Sequence, residues 1–262
     1  MKHRAKKSLG QNFLKSSLAL RKIVEAGEIS KSDTILEIGP GKGALTEQLL
    51  GSRCKVLAVE KDKELYELLK EKFKKEILSG QLNLIHDDIL NFNTRTYKLE
   101  TRTYKLIANI PYNITGAILK KFLTSDRQPE RMVLMVQKEV AERIVAKPFG
   151  HAQGKESLLS ISVKAYGEPK IIMKVPARYF SPSPDVDSAI ISIKNISKKF
   201  FTENNISEEK FWQIVRKGFA HKRKKLSSNL KEALPKEKLQ ALSLADKRAE
   251  DLSLSNWLLL SK

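Results

Sequence analysis

Thr34-Ile35-Leu36-Glu37-Ile38-Gly39-Pro40-Gly41-Lys42-Gly43 is a β-rich run that stops at a glycine turn, and Leu45 to Leu50 continues from it as a helix. Glycines at that junction let the backbone turn sharply and let a ligand lie against bare peptide. Their spacing is not Gly-x-Gly-x-x-Gly, so a nicotinamide dehydrogenase is disfavoured. Working outward, Ser17 to Ala26 reads as a helix before the run, and Lys55 to Val59 as a second strand after it, ending at Glu60. Lys63 to Leu78 is predicted as one long amphipathic helix, with Leu65, Leu68, Leu69 and Phe73 at helical spacing. Further strands are predicted at Leu82 to Ile85, Tyr104 to Ala108 and Met132 to Val136. Lys170 to Val175 and Ser188 to Lys194 follow as two neighbouring strands across a proline-rich loop, which fits an antiparallel edge. Repeated β-α-β units of this kind call for an α/β fold, a Rossmann-like, mostly parallel seven-stranded sheet with helices on both faces.

After about Asn195 the pattern changes to short helices, predicted at Glu208 to Phe219, Arg223 to Ala233, Lys236 to Leu242 and Asp246 to Leu260. Ser207 opens the first with a cap-like Ser-Glu-Glu. The expected organisation is a domain over 1–197 with a basic N-terminal arm, and a small all-α domain over 198–262. Thr94 to Leu99 recurs as Thr101 to Leu106, a tandem duplication read as a lengthened surface loop.

Charge bounds the partner. With 49 basic and 30 acidic residues the net charge is +19, a field that draws in polyanions. Lys2, Arg4, Lys6 and Lys7 crowd the start; Arg216, Lys217, Lys222, Arg223, Lys224 and Lys225 crowd a window without an acid. Such clusters suit phosphates, so nucleic acid leads and an acidic membrane surface is the weaker rival. No run approaches the roughly 18 uncharged residues of a membrane helix, and the basic N-terminus has no apolar stretch of the secretory kind. The single cysteine, Cys54, rules out an internal disulfide, and the scattered His3, His86, His151 and His221 carry no ligand spacing. No metal is expected, and a cytoplasmic monomer is the default.

The ends of the predicted strands carry the chemistry. Glu60 is placed to accept both ribose hydroxyls of an adenosine-containing ligand, though beside Lys61 and Lys63 it could equally be a solvated acid. At the third strand end, Asp88 offers a carboxylate to an adenine amino group, with the adjacent Ile89 N–H for a ring nitrogen. At the fourth stands Asn109-Ile110-Pro111-Tyr112. The Asn109 oxygen and the carbonyl before the proline can accept both hydrogens of an exocyclic amine, and the Tyr112 ring offers a face to a flat base. A methyl donor and an amino group brought together would explain the glycine turn and this tetrapeptide jointly.

These blocks resemble the ribosomal RNA adenine N6-dimethyltransferase family, whose members act on two adjacent adenosines near the 3′ end of small-subunit ribosomal RNA. The resemblance also runs through Lys7-Ser8-Leu9-Gly10-Gln11-Asn12-Phe13-Leu14, Gln137-Lys138-Glu139-Val140-Ala141-Glu142-Arg143, Val175-Pro176 and Phe180 to Ser188. It implies S-adenosylmethionine as cofactor, bound by Asn12, Leu14, Gly39, Gly41, Glu60, Asp88, Ile89 and Asn109. It implies a catalytic group of Asn109, Tyr112 and Phe180, with Phe180 stacking on the target adenine opposite Tyr112. Gln11 to Leu14 would fold over the cofactor while the basic arm meets RNA; a disordered tail is the alternative. Phe180, between Tyr179 and two prolines, could otherwise be a buried loop anchor. Asn12 stands where some relatives have His, a mild departure since either side chain hydrogen-bonds. The implied partner is small-subunit (16S) ribosomal RNA in the 30S subunit or its precursor. Three rivals remain: a DNA adenine methyltransferase, a large-subunit ribosomal RNA adenine methyltransferase that confers antibiotic resistance, and a non-catalytic assembly or transcription factor.

Overall fold

The computed structural model describes residues 5–6, 9–97, 103–147 and 155–262. Lys2, His3, Arg4, Lys7, His151 and part of the duplicated 94–106 segment lie outside them. Nine strands and twelve α-helices follow in chain order among the described residues: β1 (Phe13–Leu14), α1 (Ser17–Gly27), β2 (Thr34–Ile38), α2 (Ala44–Gly51), β3 (Lys55–Glu60), α3 (Lys63–Lys72), α4 (Lys74–Leu78), β4 (Leu82–His86), β5 (Tyr104–Asn109), α5 (Thr115–Leu123), β6 (Arg131–Gln137), α6 (Lys138–Val145), α7 (Leu158–Lys164), β7 (Glu168–Val175), β8 (Phe180–Ser181), β9 (Ser188–Lys194), α8 (Lys199–Glu203), α9 (Glu208–Gly218), α10 (Leu226–Asn229), α11 (Lys236–Ala241) and α12 (Leu254–Ser261). They form two compact units, 1–141 with 168–196, and 142–167 with 197–262.

The first unit is built on a seven-stranded sheet in the order β4-β3-β2-β5-β6-β9-β7. β4, β3, β2, β5 and β6 run parallel; β9 is antiparallel to both of its neighbours, β6 and β7. The expected mostly parallel sheet and antiparallel edge are therefore present. Side chains alternate across the sheet, and both sets are buried: Ile35, Val56, Ile107 and Val133 join one core with Ile23 of α1, Leu49 of α2 and Leu69 of α3. Leu36, Leu57, Leu106 and Leu134, each one residue away from these in its strand, are buried as well. A sheet covered on both faces reads as continuous apolar runs, which is why β2, β5 and β6 lack a polar alternation. The strand order reverses beside β2: the chain passes to β3 on one side and returns to β5 on the other. Such a reversal opens a crevice at the carboxyl ends of the strands.

Helix starts follow their caps. Ser16 accepts from Ala19 N at the head of α1, and Asp62 accepts from Glu64 N at the head of α3. The long helix predicted over Lys63 to Leu78 is instead broken at Phe73, which leaves helical geometry at φ −110° and ψ 29°. Its ring is drawn into the core against Gly43, where a Cβ would stand 2.5 Å from Phe73 Cε2. Gly43 thus lets the phenyl in, and the helix is interrupted to deliver it.

The second unit holds the C-terminal helices together with 142–167. The expected 198–262 segment lies within it. Tyr166 explains why the earlier segment belongs there: its ring packs on Phe201 and Trp212, and its hydroxyl accepts from Trp212 Nε1 at 2.9 Å. Ser207 caps α9 by accepting from Lys210 N. Of the helix predicted over Arg223 to Ala233 only the single turn of α10 forms. Buried Leu226 and Leu230 anchor it, and Asn229 Nδ2 donates to the carbonyls of Gly218 and His221. Asp246 to Leu260 likewise resolves into a 3₁₀ turn, Ala249–Asp251, and then α12. Lys222, Arg223 and Lys224 are exposed. No described helix is long and apolar enough to cross a membrane.

Candidate active site

A cavity of about 580 Å³ opens within the first unit at the carboxyl ends of β2, β3 and β5. Every residue expected to hold a cofactor lines it: Asn12, Leu14, Gly39, Gly41, Glu60, Asp88, Ile89 and Asn109. Tyr112 lines it too, and Phe180 does not.

The glycine turn forms the floor. Gly39 has φ +62°, a left-handed conformation costly for other residues, and open space where a Cβ would project. Gly39 N donates to Val59 O at 2.9 Å, tying the turn to β3. Glu60, at the end of β3, is 5% exposed. One of its oxygens accepts from Gly41 N at 3.0 Å and the other from Asp62 N at 2.8 Å. Burial pushes its pKa up, and these backbone N–H groups pull against that shift. The carboxylate keeps acceptor capacity beyond these bonds, as a ribose diol requires. Asp88 accepts from Lys61 Nζ at 2.8 Å and from Leu90 N at 2.9 Å. The Lys61 ammonium, first among the causes, lowers its pKa and keeps it an acceptor.

Glu37 escaped the reading of single strand ends because it lies one residue inside β2. It is 1% exposed, lines the cavity, and has one carboxyl oxygen without a partner. Burial, with the negative charge of Glu60 adding to it, pushes its pKa up to about 8. The available signal was an acid inside an otherwise apolar strand that leads into a glycine turn. A buried carboxyl with an unpartnered oxygen suits a cationic ligand, which would complete its hydrogen bonding and stabilise its charge. Two acids for an adenosine, a third for a cation and an open glycine cradle fit S-adenosylmethionine.

The N-terminal segment covers the turn. β1 pairs antiparallel with β8, setting Phe13 opposite Ser181 and Leu14 opposite Phe180. A Cβ on Gly41 would come within 3.1 Å of the Phe13 ring, which Lys42 Nζ approaches to 4.7 Å from the centroid. Gln11 Nε2 donates to Asp62 at 2.8 Å, and Lys6 Nζ pairs with Asp62 and Glu64 at 2.9 Å each. Lys6, expected to meet RNA, is here engaged with acids of the protein.

At the end of β5, Asn109 Nδ2 donates to the Asn12 backbone oxygen at 3.2 Å, which leaves its side-chain oxygen as the accepting end. Pro111 carries no N–H, so the turn offers acceptors rather than donors there. Tyr112 begins the 3₁₀ turn Tyr112–Ile114, and its hydroxyl lies 2.5 Å from Ser188 Oγ. Burial raises the pKa of its phenol. Phe180 is 2% exposed and belongs to the apolar core with Leu14, Ala19 and Leu20. The structure therefore brings Asn109 and Tyr112 to the cavity and does not bring Phe180 there. The ring sits as a buried anchor of its loop, because apolar side chains enclose it on the strand that pairs with β1.

Known proteins resemble this chain along nearly its whole length. The family described as ribosomal RNA adenine dimethylase matches residues 2–262. A curated relative from Dehalococcoides mccartyi, named ribosomal RNA small subunit methyltransferase A, is 43% identical over 97% of this chain and 86% of its own. Among solved structures, a dimethyladenosine transferase from Plasmodium falciparum superposes with a TM-score of 0.78 at 26% identity, covering 95% of each chain. The 23S rRNA methyltransferase ErmE gives a TM-score of 0.76 at 23% identity, over 95% of this chain and 98% of that one, which shows a shared fold. By sequence, by fold and by the family's match over nearly its whole length, this chain belongs to the ribosomal RNA adenine dimethylase family.

Proposed function

We propose that this chain transfers methyl groups from S-adenosylmethionine to N6 of two adjacent adenosines near the 3′ end of small-subunit (16S) ribosomal RNA, during assembly of the 30S subunit. The observation that carries this reading is one cavity lined by Glu37, Glu60 and Asp88 together with Asn109 and Tyr112. The curated relatives' names support the small subunit over the large one.

When bound, the cofactor supplies a methyl group made electrophilic by its sulfonium. Glu60 and Asp88 hold the adenosine part, and Glu37 receives the cationic end. The target adenine leaves its helical stack to reach Asn109, as enzymes acting on a nucleobase require. The Asn109 side-chain oxygen and the Ile110 carbonyl accept the two N6 hydrogens, and the Tyr112 face supports the ring. Accepting both hydrogens draws the N6 lone pair out of conjugation and aims it at the methyl carbon. A bound S-adenosylmethionine would give up its methyl carbon to the N6 lone pair and keep the C–S electron pair on sulfur, and one N6 proton would leave to solvent with each transfer. Positioning and electrostatics carry this reaction, and no dedicated base is needed. The exposed Lys222, Arg223 and Lys224 supply phosphate contacts.

The test incubates labelled donor with unmethylated small and large subunits and maps the modified nucleotides by mass. Label in small-subunit RNA as dimethyladenosine is expected; label confined to the large subunit would reassign the substrate. Asn109→Ala should lower transfer by about 10²–10³-fold, the scale of losing a preorganised hydrogen-bonding group, with RNA affinity nearly unchanged. Normal turnover by this variant would overturn the site.

A further inference from the structure

We infer that Ser188 is a positioning residue for methyl transfer, its hydroxyl pinning the Tyr112 ring so that the target base meets the same stacking plane in the first and second transfers. The inference rests on Asn109 to Tyr112 being the transfer site. Tyr112 Oη and Ser188 Oγ are 2.5 Å apart. The two ends of that bond differ in how firmly they are held. Tyr112 lies outside the sheet in a three-residue 3₁₀ turn, a segment with weak internal hydrogen bonding. Ser188 is fully buried at the start of β9, aligned with Gln137 of β6 on one side and Val175 of β7 on the other. Its neighbour Asp187 is fastened as well: the backbone oxygen accepts from Lys138 N at 2.9 Å and the carboxylate from Ala177 N at 3.0 Å. The bond therefore ties a turn to the rigid sheet.

Packing alone does not call for this pair. Ser188 opens a run, Ala189 to Ile193, that is buried throughout, where an apolar side chain would avoid burying a hydroxyl. A phenylalanine at 112 would offer the same stacking face. What the two hydroxyls add is a fixed ring tilt, since the torsion about an aromatic Cβ–Cγ bond is otherwise broad. That tilt matters most for the second methyl. The monomethylated amine has to rotate about its bond to the ring and present its lone pair again while the base stays in plane. A ring free to rock would slow both transfers and penalise the second more.

The experiment measures single-turnover rates and the ratio of monomethyl- to dimethyladenosine on unmethylated small subunits, for Ser188→Ala, Tyr112→Phe and the double variant. Each single change should slow transfer by about three- to tenfold, the loss of one neutral hydrogen bond. Each should raise the monomethyl share, leave KM for the donor within twofold, and combine non-additively, so that the double variant is no worse than either single. Ser188→Thr, which keeps a hydroxyl, should restore the product ratio. A Ser188→Ala enzyme with wild-type rate and ratio, or single effects that multiply, would overturn the inference. If Ser188→Ala fails to fold, Tyr112→Phe decides the matter: an unchanged product ratio overturns it. Asn109→Ala, run in parallel, separates the failures. An active Asn109→Ala sinks the site itself, whereas an inactive one beside a wild-type Ser188→Ala sinks only the role of Ser188.

Discussion

The two edges of the large sheet are built on opposite terms. At the carboxyl edge of β2, β3 and β5, Glu37 is buried with an unpartnered oxygen, and Gly39 and Gly41 turn through left-handed geometry. At the other end of the sheet Asp33, Lys105, Glu28, Arg131 and Lys194 pair with one another. Lys105 Nζ pairs with Asp33 at 2.7 Å and also donates to the Glu28 carbonyl. Glu28 receives Arg131 and Lys194, whose nitrogens lie 2.5 and 2.6 Å from its carboxylate. One edge is finished by the protein, and the other is shaped for something the protein does not itself supply. Stability and ligand binding are thereby divided between the ends of one set of strands.

The largest test of that division is its pH dependence. Glu37 has a folded pKa of about 8 against an ordinary 4.5, so the folded state holds the proton more tightly. Its stabilising contribution is complete below about pH 4.5 and is lost as pH rises towards 8, an effect on the order of a few kcal/mol. Glu37→Gln should flatten this decline in denaturant unfolding between pH 5 and 8; an unaltered slope would mean the carboxyl is not held neutral. Next in size, Lys105→Met should cost about 1–3 kcal/mol of stability by stranding Asp33. Because Lys105 is at the far edge, calorimetric affinity for S-adenosylhomocysteine should stay constant, and a loss there would couple the two edges. The smallest effect belongs to Glu28, whose pKa is lowered to about 2 chiefly by its bond to Arg131, with Lys194 second. Its contribution is present above its ordinary pKa and is lost as pH falls from about 4.5 towards 2, opposite in sign to Glu37. The group is exposed, so Glu28→Gln should shift only the acid limb of the melting curve, slightly and less in high salt.

Much of the first unit was legible because its signals are local. Apolar runs of strand length punctuated by glycine gave all seven strands of the main sheet, and Glu60, Asp88 and Asn109 were found as polar residues at strand ends. Glu37 is not legible as a site residue, because a residue inside a strand announces nothing about its ionisation, which depends on what surrounds it. The periodicity over Lys63 to Leu78 predicts one helix because it carries no record of the space Gly43 leaves for Phe73, where the helix breaks. The boundary near 197 rested on a change of pattern along the chain. Tyr166 joins the later helices through rings that are distant in sequence.

Spacing and residue type are enough for the seven strands of the main sheet in chain order, the glycine turn and the acceptor-rich Asn109-Ile110-Pro111-Tyr112, since each depends on backbone preference or on the chemistry of adjacent residues. Folding alone decided that Phe180 is enclosed beside Leu14, that Lys6 turns to Asp62, and that Tyr112 leans on Ser188. Those contacts join residues 56 to 166 positions apart, and at such separations only the packed chain determines which groups meet and which lose water.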